Sequence, residues 1–249
     1  MTVEKFSILR KMNIFAALFH LVQGILILVL SNDFSIAVTR NYLKFDETTR
    51  SLVTVTEKLF DVRVAYLISL FPFLTFLAHL LVSTLLFEGY KNNLGKGMNP
   101  YRWAEYSVTS SIMMVIIAML VGISDFGTLL LIFSINATMI FFGYLMELLN
   151  QFTQKVLWSP FFFGCFAGII PWIVVFTVII RSNPPSFVVW IFVSIAVFFN
   201  LFPINMVLQY KKVGKWADYL YGEKVYIILS LVSKSILVWQ VFAGTLQPK

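Results

Sequence analysis

Apolar residues run almost unbroken through seven stretches centred on 12–31, 61–87, 101–121, 127–148, 157–180, 186–209 and 225–246. Each is close to the roughly 20 residues that an α-helix needs to cross the hydrocarbon core of a bilayer. The pattern predicts an all-α membrane protein, a seven-transmembrane-helix bundle. Only the first connection is long. Residues 32–60 are largely polar, and both Phe34–Thr39 and Ser51–Thr56 alternate with a period of two, which predicts a small β-hairpin outside the membrane. The other joints are short, and no repeat, low-complexity tract or soluble linker interrupts them. The reading is therefore one seven-helix domain over residues 1–249, with Pro72, Pro171 and Pro203 falling inside spans where they can kink a helix.

Composition supports the lipid bilayer as the solvent, since hydrophobic residues make up 59% and charged residues 12%, about half the charged share of a soluble domain. Lys5, Arg10 and Lys11 precede a full-length span with no small-residue cleavage site, so the first stretch reads as helix one rather than a leader. A single cysteine, Cys165, excludes an intrachain disulfide and a thiolate metal cage, and no metal site is expected. The net charge of +7 sits at membrane edges and orients the bundle rather than pointing to nucleic acid. Lys5, Arg10, Lys11, Lys91, Lys96, Arg102, Lys155, Lys211, Lys212, Lys215 and Lys224 fall on the amino-terminal side. Arg40, Lys44, Arg50, Lys58, Arg63, Arg181 and Lys249 fall on the other, mostly in one loop. The positive-inside rule then predicts an integral protein of the cell membrane with a cytoplasmic amino terminus and an extracellular carboxyl terminus and hairpin.

Against this apolar background Lys234 stands near the middle of the last span. An ammonium at the bilayer midplane costs roughly 2.5–3.5 kcal/mol on insertion scales, so its presence points to function. One outlet is snorkelling to the interface, but Lys234 is about ten residues from either end of its run, beyond the reach of a lysine stem. The other is chemical: an amine in a dry pocket can condense with an aldehyde, giving a Schiff base whose proton a carboxylate must hold. Glu105 is the acid deepest inside a predicted span. It is read either as that counterion or as a partner for Arg102 one turn earlier, and the two roles are compatible. His20 and Gln23 share a helix face, as do Thr75 and His79. Ser230 lies one turn before Lys234, and Asn136 sits in the middle of the fourth span. Together they suggest an internal polar cavity, while each alone is also compatible with local hydrogen bonding or packing.

These residues carry a family resemblance. Arg102–Ser111 (RWAEYSVTSS), Leu229–Gln240 (LSLVSKSILVWQ) and Phe242–Leu246 (FAGTL) resemble the signature segments of the heliorhodopsins. Phe19–Gln23 (FHLVQ), Asn136-Ala137, Gly164–Trp172 (GCFAGIIPW) and Gly214–Trp216 (GKW) add to the similarity. The resemblance covers essentially the whole chain. It implies all-trans retinal covalently bound to Lys234 as a protonated Schiff base, with Glu105 as counterion and Ser230 as a close polar neighbour. His20, Gln23, Thr75, His79 and Arg102 would then form, with Ser230, the network that receives or stabilises the displaced proton. The resemblance also implies a cytoplasmic amino terminus and a homodimer that uses the outer hairpin.

A long apolar polyene needs flat or adaptable walls. Helical spacing groups Tyr106, Ser110 and Met113, then Met139 and Gly143, then Phe199, Phe202 and Met206. By resemblance these are the retinal pocket, with Asn136 and Ser235. A light-driven pump of the ordinary microbial kind would want further acids. The position one turn before the lysine is Ser230, and three turns beyond Glu105 lies Ile116. The expectation is a light-sensing, non-pumping photoreceptor, not an enzyme, whose relaxed state is read by an unknown cytoplasmic partner or by lipid. The basic loop Lys211–Lys215 is either such a partner site or topology charge beside anionic lipid. Two competitors remain open: a light-gated proton or cation conductor, and a light-independent transporter or receptor in which Lys234 and Glu105 form an ion pair.

Overall fold

The computed structural model describes residues 2–248; Met1, and Lys249 with its charge, lie outside the described residues. In chain order the elements are α1 (Thr2–Leu30), β1 (Ser35–Asp46), β2 (Ser51–Arg63), α2 (Val64–Ser83), α3 (Phe87–Gly95), α4 (Pro100–Leu120), α5 (Phe126–Leu149), α6 (Ser159–Ser182), α7 (Ser186–Tyr210) and α8 (Tyr219–Val241). A 3₁₀ turn, Gly214–Ala217, precedes α8, and a π-helical turn, Phe242–Leu246, follows it. Among the described residues, seven helices are long and apolar enough to cross a membrane: all but α3. The exposed side chains along them are what a lipid-facing surface requires: Val29, Leu131, Phe166 and Trp190 are each at least 67% exposed. The helix α4 is the most enclosed span, and α7 the least.

The hairpin is longer than its alternating segments predict. The ladder pairs Ser35 with Arg63 at its base and Asp46 with Ser51 at its tip, with a bulge between Val38 and Thr39. Residues 61–63, which hydropathy assigns to the second span, therefore belong to β2, and the helix starts at Val64. A sliding hydropathy window cannot separate an apolar strand end from the helix it feeds. Thr39 donates its N–H to Ser124 O (2.9 Å), and Asn41 N–H reaches Asp125 Oδ1 (3.2 Å), so the strand is docked onto the start of α5. Asp125 also caps α5 by accepting from Thr128 N (2.9 Å), and that backbone donor holds its carboxyl below the usual range.

The second predicted span, 61–87, ends earlier, at Ser83. The Ser83 and Thr84 hydroxyls bond back to carbonyls of His79 and Leu80, offering the backbone an alternative to continued helix, and Thr84 leaves the helical region at φ −123°. A separate amphipathic helix, α3, then begins with Glu88 in its first turn. At the other extremes, α1 and α8 start well before residues 12 and 225, because polar first turns continue the helix. Lys5 pairs with Asp218 at 2.7 Å, and Asp218 caps α8 by accepting from Leu220 N (3.0 Å). The apolar core lies toward the hairpin and includes Ile27, Val64, Phe71, Ile116, Ile191 and Val241. The other end of the bundle buries polar and charged groups, and there the chemistry is found.

Candidate functional site

On α8 the buried face runs Glu223, Tyr226, Ile227, Ser230, Ser233, Lys234, Leu237, Val238 and Val241, the helical spacing that puts Lys234 in the bundle interior. Lys234 is 3% exposed. Its Nζ meets Glu105 Oε1, projecting from α4, at 2.5 Å. Oε1 also accepts from Thr75 Oγ1 of α2 (2.7 Å) and from Thr109 Oγ1, one turn along α4 (2.9 Å). Enclosed ions of this kind persist only when paired and hydrogen-bonded. The amine lies 5.2 Å from the centroid of the Tyr106 ring, whose electron-rich face also favours a cation.

Lys234 lines a cavity of about 480 Å³ between α4, α5, α6, α7 and α8. Tyr106, Met113, Met139, Trp172, Phe199 and Phe202 supply much of its wall, and Ser230, Ser233 and Thr109 supply polar points. Gly143 and Gly168 keep the wall thin: a methyl group on Gly143 would lie 2.6 Å from the Trp103 ring, and one on Gly168 would collide with Met139. An apolar, aromatic-walled space with an amine and few polar groups suits a long unsaturated aldehyde. Ser230 Oγ is buried, lines the cavity and has no hydrogen-bond partner among the described residues, so one polar atom is aimed at whatever fills the space.

A second charged cluster lies toward the amino-terminal end. Arg102 bonds Glu147 of α5 and Glu223 of α8, not Glu105, so the partnership that adjacency on α4 suggested is replaced by one between helices. Glu147 further accepts from Asn99 N (2.8 Å), Trp103 Nε1 (2.5 Å) and Tyr219 OH (2.8 Å). Glu223 accepts from Tyr90 OH (3.0 Å) and Asn99 Nδ2 (2.8 Å). Neither acid stood out by position, because each lies close to the end of an apolar stretch. What buries them is the longer reach of α8 and the packing of α3.

The other residues singled out from the sequence divide. Tyr106, Ser110, Met113, Met139, Gly143, Phe199, Phe202 and Met206 line the cavity. Asn136 and Ser235 do not. Asn136 Nδ2 donates to Ser110 Oγ (2.9 Å) and Ser111 Oγ (3.1 Å), behind the wall. Ser235 bonds back along its own helix to Leu231 O (2.6 Å) and across to Gln23 Oε1 of α1 (3.3 Å). His20 and His79 are stacked with centroids 6.1 Å apart. His79 Nδ1 meets Asn13 Oδ1 at 2.6 Å, whereas both His20 ring nitrogens are buried with no hydrogen-bond partner among the described residues. Thr109, Asn13, Tyr90 and Trp103 were not among the candidate site residues. Thr109 and Trp103 lie in the Arg102–Ser111 segment, Thr109 one turn after Glu105, whereas Asn13 and Tyr90 left no signal.

The sequence model of the family described as Heliorhodopsin matches residues 9–246. No curated protein matches the chain. Among solved structures, the chain resembles the transmembrane domain and linker region of a rhodopsin phosphodiesterase from Salpingoeca rosetta. The TM-score is 0.59 at 12% identity, over 97% of this chain and 70% of that one, a likeness of fold alone.

Proposed function

The chain belongs to the heliorhodopsin family, and from that premise we propose that it is a non-pumping, non-enzymatic photoreceptor whose all-trans retinal is held covalently by Lys234. Membership itself makes it a retinal-based, light-sensing membrane protein. The observation that carries the finer reading is the Lys234 amine, paired with Glu105 at 2.5 Å, on the wall of the aromatic cavity. Retinal supplies the visible absorption and the light-driven isomerisation when bound.

The chain's own residues do the rest. Tyr106, Phe199, Phe202 and Trp172 bound the space and exclude water from it. Glu105 holds positive charge at the Lys234 nitrogen, with Thr75 and Thr109 fixing the carboxylate. Weakening that pairing releases a proton toward His79 of α2 and toward His20 and Gln23 of α1, where Gln23 bonds Ser235 beside Lys234. On the hairpin side the buried residues of α4 from Ile112 to Met119 are all apolar and offer no proton-carrying group, which argues against transport across the whole bilayer. The amino terminus is assigned to the cytoplasm by the basic residues on its side. Exposed Leu43, Phe45 and Leu52 on the hairpin support a homodimer there.

The deciding experiment is an absorption spectrum of purified protein with all-trans retinal, before and after illumination with hydroxylamine. A visible band that bleaches is expected. No band would return Lys234 and Glu105 to a light-independent ion pair. Photocurrents in a voltage-clamped cell that vanish in Glu105→Gln would replace the sensor by a conductor.

A further inference from the structure

Beyond the large cavity, a small one of about 30 Å³ lies between the two charged clusters. That exceeds the roughly 10–15 Å³ that one water molecule requires. Its wall includes Glu105 and His79 on one side and Glu223, Arg102 and Asn99 on the other, with Asn13 and Tyr90 between them. The lining is polar enough to give a water several partners. Arg102 Nε is buried without a hydrogen-bond partner among the described residues.

The two acids of the Arg102 cluster are not equivalent. Two carboxylates face a single guanidinium, so the cluster has a formal charge of −1 and can take up one proton. Glu147 accepts from Arg102, the Asn99 backbone, the Trp103 indole and the Tyr219 hydroxyl, and it does not line the small cavity. Glu223 has fewer donors, on Oε1 from Tyr90 and Asn99 and on Oε2 from Arg102, and it does line the cavity. Tyr90 OH in turn accepts from Asn13 Nδ2 (3.4 Å), and Asn13 Oδ1 accepts from His79 Nδ1 (2.6 Å). The hydrogen bonds therefore run unbroken from His79 to Glu223 along the wall.

We propose that Glu223 is the terminal acceptor of the proton released at the Lys234–Glu105 pair. The proton reaches it through the water-sized cavity that Glu223 shares with Glu105 and His79, and Asn13 and Tyr90 act as positioning residues. The Lys234 nitrogen gives the proton to Glu105, with which it is paired, a water in the cavity that Glu105 lines carries it on, and the Glu223 carboxylate becomes a carboxylic acid while Glu105 returns to a carboxylate, so charge is conserved. The proposal rests on the retinal reading given above.

Light-minus-dark infrared spectroscopy of the retinal-loaded protein in lipid tests it. A carboxylic-acid C=O band should rise as the Lys234 nitrogen deprotonates. It should be missing in Glu223→Gln, retained in Glu147→Gln and slowed about tenfold or more in Tyr90→Phe. A band that survives Glu223→Gln, or no such band in the unaltered protein, overturns the assignment. Should Glu223→Gln fail to fold, Tyr90→Phe leaves both acids in place and decides by its rate: an unchanged rise overturns the relay. The coupling is also read without chromophore, by nitrogen NMR of the His79 ring in ligand-free protein. Displacement of its signals by Glu223→Gln and by Tyr90→Phe is expected, and signals unmoved in both overturn it. Absence of any pigment in the unaltered protein would instead sink the retinal reading.

Discussion

The halves of the bundle on either side of Lys234 are both buried, yet they are built from different chemistry. The division recurs at the same level in separate helices. On α4, the buried positions from Arg102 to Ser111 are mostly polar or charged, and those from Ile112 to Met119 are apolar. On α8, Glu223, Ser230 and Ser233 give way beyond Lys234 to Leu237, Val238 and Val241. The helix α1 passes from Asn13, His20 and Gln23 to Ile27, and α2, running the opposite way, from Val64, Ile68 and Phe71 to Thr75, His79 and Ser83. In lipid, apolar side chains have no water to escape from, so the apolar half is held by close packing. The polar half is held by paired ions and hydrogen bonds, which break if any member is removed. The groups able to receive a proton freed at Lys234 are thus concentrated in the polar half, which supports the switch proposed above.

The sharpest break of the comparison is at its boundary. Lys234→Ala removes the amine proposed to hold retinal, and no visible band should form with all-trans retinal; a pigment in that variant would move the attachment elsewhere. Glu105→Gln comes next. Loss of the charge opposite the amine should red-shift the band and lower the thermal midpoint, since breaking a buried pair costs roughly 3–5 kcal/mol before the lysine neutralises itself. An unshifted band would put the counterion on another residue.

The apolar half should respond the opposite way. Phe71 is fully buried in the core cluster near the hairpin, and Phe71→Ala should destabilise the bundle through lost contacts and a cavity, by less than the roughly 3–5 kcal/mol of a core that folds in water. Its visible band should hardly move, because Phe71 does not line the large cavity beside Lys234. Thermal unfolding and an absorption spectrum on the same sample check both halves of that statement. A colour change without destabilisation would mean that the two halves are not separable in the way the buried residues suggest.

How far the sequence foretold this division depends on which physical signal each part leaves. Spans leave a strong one, because about twenty apolar residues in a row match the thickness of the bilayer's hydrocarbon core and are rare in chains that do not cross it. Lys234 and Glu105 are visible for the complementary reason, as charges within such runs. Glu147 and Glu223 are not, since a window average cannot tell an acid at the mouth of a helix from one that neighbouring elements cover. Arg102 shows the same limit from the other side: spacing on one helix offered Glu105 as its partner, while the partners came from α5 and α8. Periodicity names the residues that share a face but not what that face meets, so eight of the ten pocket candidates line the cavity, while Asn136 and Ser235 bond to neighbours outside it and much of the wall, including all that α6 supplies, was not singled out.

The smallest expected effect tests how finely the polar half is tuned. Thr75 reaches Glu105 Oε1 from α2, whereas Thr109 reaches the same oxygen from α4, the helix that carries Glu105 itself. Thr75→Val keeps the shape and removes one donor to a charged acceptor, worth about 1.5–3 kcal/mol in general and less here because Thr109 and Lys234 remain. A carboxylate with fewer donors is a stronger base and holds the Lys234 proton more closely, so the band should move to the blue, opposite in sign to Glu105→Gln and smaller. Thr109→Val should shift it the same way. Opposite signs for the two threonines would show that their effect is steric, acting on the position of the carboxylate rather than on its charge.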